Sequence, residues 1–246
     1  MYSILDFDRE SIQNKFKDLK EDLQSNYDSL PETEGCMDNI FDGKKCGAWC
    51  CEEQSPSVWF VEFINTLSNF IFKMDSNAFI KLIEDSLNKY LLIDKSRGCV
   101  FWDSESKLCS QHETRPINCY FYGVTPPSEF EPRYERLKIL NNDIRPQCDL
   151  IKVKGGGKYM TREVIDKSFD VVKSIEHRLG VPEDNLDDSP GGSYRSYPEH
   201  LLTWLLGEEK MCDLSVVRSS HSIMDKKKLV NSICDNLRQS LNHGKQ

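Results

Sequence analysis

The sequence predicts a mainly α fold with irregular cysteine-rich loops and a short β-hairpin, stabilised by bound metal. Eight of the ten cysteines fall between Cys36 and Cys148, in two bunches. Segments on either side of these bunches carry apolar residues at helical spacing among charged ones, which is typical of amphipathic helices. The loops at 36–56 and 95–125 have little apolar content of their own, so we expect metal to cross-link them.

The helices before the second bunch follow from apolar spacing and capping residues. Residues 7–29 have the pattern of one amphipathic helix, which Pro31 and Gly35 terminate. Residues 57–93 are the most apolar stretch, and a turn at Asp75 divides them into two helices. Within 98–123, the runs CVFW and KLCSQ on either side of DSES predict the hairpin, and Pro116 begins a helix through Cys119.

The C-terminal part predicts further helices. One spans about 161–179 and ends at Gly180, a second covers 198–206, and a third covers roughly 225–242. We expect a helical domain at 1–150 that contains the cysteine cluster at about 36–148, and a C-terminal helical region at 151–246 that packs on it.

The cysteines favour metal ligation over disulfides. The chain opens on an acidic, polar, helical pattern and no secretory leader, which predicts a cytoplasmic protein with reduced thiols. Adjacent Cys50 and Cys51 cannot bond to each other without distorting the peptide between them. Thiolates are soft ligands for zinc or iron, and four of them complete a zinc site or a [4Fe-4S] cluster. The candidate ligands are Cys36, Cys46, Cys50, Cys51, Cys99, Cys109, Cys119 and Cys148. Cys212 and Cys234 are expected to be small buried residues.

Zinc and an iron-sulfur cluster both remain open as the cofactor, with the iron-sulfur cluster preferred because paired zinc-knuckle spacings are missing. Aromatic residues next to the ligands could shield a cluster or simply fill the core: Trp49, Phe101, Trp102, Tyr120, Phe121 and Tyr122. Arg115 and Pro116 are candidate cofactor-binding residues, because a helix beginning at Pro116 points free N-H groups at thiolates and Arg115 offsets their charge. The alternative for Arg115 is an ordinary surface position. His112 is either a ligand or polar packing.

Composition excludes two classes of partner. The net charge is -8, and phosphate backbones are bound by clustered positive charge. The basic run at Asp225–Lys228 is expected to be a solvated helix face. With a mean hydropathy of -0.56, the chain has no apolar run near the length of a membrane helix. We therefore predict no nucleic-acid and no membrane partner, and leave a protein partner or substrate open.

A family resemblance rests on the cysteine pattern. The run at Cys46, Cys50 and Cys51 is followed by Cys99 and then by Cys109 and Cys119, with Arg115 and Pro116 between the last two. This arrangement resembles the YkgJ-type cysteine-cluster family, a zinc- or iron-chelating domain with a CxxCxxCC signature, over about residues 36–148. The sequence departs from that pattern at Gln111 and His112, and in the ten-residue separation of Cys36 from Cys46.

The resemblance implies a metal centre, and three functions are compatible with it. The favoured one is a metalloprotein whose iron-sulfur or zinc centre supports a redox or protein-modification reaction. The second is a non-catalytic module in which zinc staples loops and the helical region binds a protein. The third is a methyltransferase-like protein-modifying enzyme, because similar clusters occur in flagellin lysine methylases.

Overall fold

The computed structural model describes residues 9–34, 40–41, 44–45, 51, 55–92, 98–103, 105–106, 108–126, 128, 151–187 and 192–243. Helices dominate this part of the chain, which confirms the mainly α prediction. They are α1 (Arg9–Asp28), α2 (Phe60–Asn69), α3 (Ser76–Leu91), α4 (Ile117–Phe121), α5 (Arg162–Leu179), α6 (Tyr197–Leu206), α7 (Glu208–Ser220) and α8 (Ile223–His243). Short 3-10 turns lie at Ile71–Lys73, His112–Thr114 and Glu183–Asn185.

The strands are two or three residues long and form antiparallel pairs. They are β1 (Thr33–Glu34), β2 (Ile40–Phe41), β3 (Lys44–Lys45), β4 (Ser57–Trp59), β5 (Trp102–Asp103), β6 (Leu108–Cys109), β7 (Lys152–Val153) and β8 (Tyr194–Ser196). The predicted hairpin is β5-β6, in which Trp102 lies opposite Cys109. The pairs β1-β7 and β4-β8 join segments more than a hundred residues apart, and local sequence patterns do not predict them.

The main core lies between α1, α2 and α5. One face of α1 is buried through Ile12, Phe16 and Leu23, and the helix packs along α5. Helix α5 begins as predicted, with the hydroxyl of Thr161 accepting the N-H of Val164, and ends at Gly180. Gly180 has a φ of 107°, a left-handed conformation that a residue with a side chain rarely adopts.

The apolar stretch at 57–93 contains two helices, as predicted. Asp75 separates α2 from α3, and its carboxylate accepts the N-H groups of Asn77 and Ala78 at 2.8 and 2.9 Å. The first three residues of this stretch form β4 rather than helix, because Ser57–Trp59 pair with β8. Tertiary pairing therefore sets the start of α2.

The C-terminal helices pack on α3 around a second apolar cluster. Leu87 on α3 and Val230 on α8 are buried there, together with Cys234. Helix α7 was missed, since it buries only Met211 and Leu214 and shows little helical periodicity. The expectation for Cys212 is wrong: it lies on α7 and is exposed, whereas Cys234 is buried as predicted.

Elements on either side of residue 150 are in contact through α1 with α5 and through β1 with β7. The division into a domain at 1–150 and a region at 151–246 stays a prediction. Among the described residues, no helix is long and apolar enough to cross a membrane.

Candidate metal centre

The two cysteine bunches meet through the backbone of Cys51 and Cys99. The N-H of Cys99 donates to the carbonyl oxygen of Cys51 at 2.6 Å, across 48 residues of chain. Cys99 is buried, and Cys51 is half-buried against the main core. A turn follows Cys99, in which the N-H of Trp102 donates to the Cys99 carbonyl at 3.2 Å. The turn leads directly into the hairpin strand β5.

The hairpin brings Cys109 to the same place. Its side chain is hydrogen-bonded to that of Cys51, and this contact lowers the pKa of Cys109 to about 7. Burial opposes the shift, while the N-H of Gln111 and the charge of Arg115 add to it. A thiol with such a pKa is substantially thiolate at neutral pH, which is the form that ligates metal.

Cys119 approaches from the short helix α4. Its N-H donates to the carbonyl of Pro116 at 2.8 Å, so the turn after Pro116 determines where the thiol lies. The thiols of Cys119 and Cys99 both interact electrostatically with the hydroxyl of Tyr197. The pKa of Tyr197 lies well above its ordinary value. Burial is the main cause of that rise, and the two thiols add to it. The Tyr197 ring packs edge-on against Phe101, with 4.8 Å between centroids.

Arg115 faces the site rather than solvent. Its side chain is buried, and its guanidinium lies over the ring of Tyr120 and hydrogen-bonds Nε2 of His112. A second guanidinium nitrogen donates to the hydroxyl of Thr33 at 3.4 Å. The surface interpretation of Arg115 is therefore wrong, and its charge acts on Cys109. The contact of His112 with Arg115 favours polar packing for that histidine.

Pro116 shapes the start of α4 as its N-cap, one position earlier than the first helical residue. Its φ and ψ are -69° and 163°, and its carbonyl also accepts the N-H of Tyr120 at 3.3 Å. Proline is well suited to this position because its φ is fixed near the observed value. A direct role of Pro116 or Arg115 in holding a cofactor stays a prediction.

Two charged residues of the site were missed by sequence reasoning. Glu62 on α2 is buried, and its carboxylate accepts the N-H of Ile117, the first residue of α4, at 2.6 Å. The available signal was a single carboxylate in the otherwise uncharged run that forms α2. Burial lowers the pKa of Lys89 on α3, and the attraction between Lys89 and the thiol of Cys99 opposes that lowering.

Half of the predicted ligands can be placed. Cys51, Cys99, Cys109 and Cys119 are within the described residues, whereas Cys36, Cys46, Cys50, Cys148 and the aromatic Trp49 lie outside them. Within the described ranges, no three metal-binding side chains lie close enough together to hold one metal ion. The complete ligand set therefore stays a prediction. The donor chemistry nonetheless fits a soft metal, because adjoining thiols and a thiolate-favouring pKa suit zinc and iron.

The aromatic residues near the cysteines contribute mostly to packing. Phe101 and Phe121 are buried in the main core, while Trp102, Tyr120 and Tyr122 are half-buried against it. Phe121 also contacts Phe169 on α5, with 5.5 Å between ring centroids. These contacts attach the second cysteine bunch to the helical core.

Residues 42–143 match the family model described as "CxxCxxCC: Putative zinc- or iron-chelating domain". This match confirms the predicted family resemblance. The matched segment contains Cys46, Cys50, Cys51, Cys99, Cys109 and Cys119, while Cys36 and Cys148 lie outside it. No curated protein and no solved structure matches the chain.

Proposed function

We propose that this chain, whose residues 42–143 form a zinc- or iron-chelating domain of the CxxCxxCC family, ligates an iron-sulfur cluster and uses it in a redox or protein-modification reaction. The observation that carries the proposal is the convergence of Cys51 and Cys109 from separate bunches. Their side chains are hydrogen-bonded, and the pKa of Cys109 is lowered to about 7. Thiolates are required for both zinc and cluster ligation.

The surroundings favour a cluster over a zinc ion. The charge of Arg115 stabilises the thiolate of Cys109, and Lys89 is attracted by the thiolate of Cys99, so two cations offset thiolate charge. Positive charge near the sulfurs raises the reduction potential of a cluster, whereas zinc has no redox chemistry to tune. The cluster would supply one-electron transfer. Four of the six cysteines in the matched segment are enough to hold one.

Metal analysis tests the proposal directly. The protein purified without oxygen is expected to be brown and to contain iron and acid-labile sulfide, with absorption that bleaches on reduction. A colourless protein with stoichiometric zinc would replace the cluster with a zinc site. A protein that holds neither iron nor zinc when freshly purified would remove the metal proposal altogether.

The second candidate is a zinc-stapled module that binds a protein partner. The C-terminal helices favour it, because Val216 on α7 and Met224 on α8 expose 61% and 65% of their surface. Exposed apolar side chains of this size are available for contact with a protein partner. Stoichiometric zinc without iron or acid-labile sulfide would favour this role. The absence of a nucleic-acid partner and the cytoplasmic location stay predictions.

A further inference from the structure

We propose that Glu62 is a positioning residue for the metal centre, which holds the turn that carries Arg115 and Cys119 in the geometry required for ligation. This inference rests on the proposed function and extends it to a residue outside the cysteine loops. Glu62 lies on α2, where only 2% of its surface is exposed.

The carboxylate of Glu62 joins three separate parts of the chain. Its Oε1 accepts the hydroxyl of Tyr27 at 2.6 Å and the N-H of Ile117 at 2.6 Å. Its Oε2 accepts the N-H of Trp59 at 3.0 Å. A buried carboxyl group that accepts three hydrogen bonds holds its donors in fixed positions relative to one another. Ile117 is thereby tied to α1 and to β4 through one side chain.

Helix capping alone does not account for these contacts. A glutamate at the third helical position commonly reaches back to the N-cap, and the bond to Trp59 is of that kind. The bonds to Tyr27 and Ile117 serve no capping of α2. Ile117 begins α4, so its N-H has no partner within that helix, and Glu62 supplies one. Cys119 follows two residues later.

Glu62 is also linked to Arg115 indirectly, through the side chains of Tyr27 and Tyr120. The ring of Tyr27 is stacked on the ring of Tyr120, with 5.5 Å between centroids. Tyr120 in turn carries the guanidinium of Arg115, whose central carbon lies 4.1 Å from its centroid. Glu62 therefore supports the residue that follows Cys119 as well as the residue that begins its helix. Loss of the carboxylate should displace thiol and cation together.

Substitution of Glu62 has a matched control in Glu176. Both are fully enclosed glutamates of the main core, and Glu176 accepts the N-H of Val61 on the same helix α2. Among the described residues, Glu62 has a hydrogen bond to the segment that carries Cys119, and Glu176 has none. Glu62→Met and Glu176→Met should both lower thermal stability. Only Glu62→Met should release the native metal to a chelator faster than wild type does, by about 10- to 100-fold, as expected when a residue that orients ligands is lost. Equal release from both variants would overturn the proposal.

A backbone pair tests the hydrogen bond to Ile117 without touching Glu62. Ile117→Pro removes the N-H, and the extended conformation of Pro116 accepts a following proline. Ile117→Ala keeps the N-H and loses a comparable part of the buried side chain. The proline variant should release metal at least several-fold faster than the alanine variant. Release at the same rate would show that Glu62 does not act through this bond.

Thiol labelling separates this inference from the metal proposal. In the protein as purified and reduced, without chelator, Glu62→Met should raise the rate of maleimide labelling at Cys119 several-fold over wild type, with exposed Cys212 as the internal reference. That result would support positioning by Glu62 even if the wild-type protein held no metal. Unchanged labelling of Cys119 in Glu62→Met would overturn it, whatever the metal content.

Discussion

The guanidinium carbon of Arg115 lies 4.1 Å above the ring centroid of Tyr120. This contact keeps a permanent positive charge inside the protein and beside the thiol of Cys109, whose pKa it helps to lower. Cation-π contact and the hydrogen bond to His112 compensate for the hydration that the guanidinium loses on burial. The charge is therefore fixed in position relative to the cysteine segment.

Arg115→Gln should lower the reduction potential of an iron-sulfur centre. Removal of a positive charge disfavours the added electron, and one charge about 6 Å away is worth up to about 3 kcal/mol at an effective dielectric near 20. Solvent screening reduces this to a shift of tens of millivolts, measurable by redox titration. Arg115→Lys keeps the charge and should shift the potential less. An unchanged potential in Arg115→Gln would mean that the guanidinium does not act on the centre.

Serine substitutions should distinguish the ligand cysteines from Cys212 and Cys234. Cys51→Ser, Cys99→Ser, Cys109→Ser and Cys119→Ser should each lower the metal content, because a neutral hydroxyl replaces a soft anionic ligand. We expect the same for Cys46 and Cys50. Cys212→Ser is the matched control, since Cys212 is exposed on α7. Cys234→Ser should keep its metal and lose only packing in the second apolar cluster. Similar metal loss from Cys212→Ser would contradict the assignment.

Metal removal should loosen the cysteine segment more than the C-terminal helices. The described residues of 98–126 contribute five buried side chains to the main core, namely Cys99, Phe101, Ile117, Phe121 and Val124. Helix α8 packs on α3 through a separate apolar cluster. Hydrogen exchange before and after treatment with chelator and reductant should show lost protection at 98–126 and little change at 223–243. The melting temperature should also fall, and an unchanged melting temperature with uniform protection would show that metal does not stabilise the fold.

Burial of Glu176 should make the protein less stable as the pH rises from about 4.5 to 8. Burial raises the pKa of Glu176 to about 8, against the opposing hydrogen bond from the N-H of Val61. Below about pH 4.5 the carboxyl group of Glu176 is protonated in both the folded and the unfolded protein. Between these values the unfolded chain releases the proton and the folded protein keeps it, so stability falls by at most about 1.4 kcal/mol per pH unit.

Urea unfolding at several pH values measures this dependence. Glu176→Gln should flatten the fall in stability between pH 5 and 8, because the amide does not titrate. Glu163→Gln is the control, since Glu163 lies exposed on the same helix α5. If Glu176→Gln and wild type lost stability in parallel over this range, the buried carboxyl would not be the titrating group.

The sequence alone determined the helices that have strong local signals. Asp75 and Thr161 are cap residues, and Gly180 ends α5 in a left-handed conformation, so their boundaries could be predicted. Helix α7 lacks a continuous apolar face and was missed. The hairpin at β5-β6 was predicted because its two strands are close in sequence. The pairs β1-β7 and β4-β8 were not, since their strands meet only after the core assembles.

For the site, the cysteine spacing indicated metal-binding chemistry and the family resemblance, because soft thiolate ligands and their intervals are visible in the sequence itself. Only the tertiary structure decided that Cys51 meets Cys99 and Cys109, that Arg115 is buried, and that Lys89 acts on Cys99. It also decided that Glu62 bonds to Ile117, 55 residues away. Such contacts depend on how α1, α2 and the cysteine segment pack against one another, and no local pattern encodes the distance between residues on separate elements.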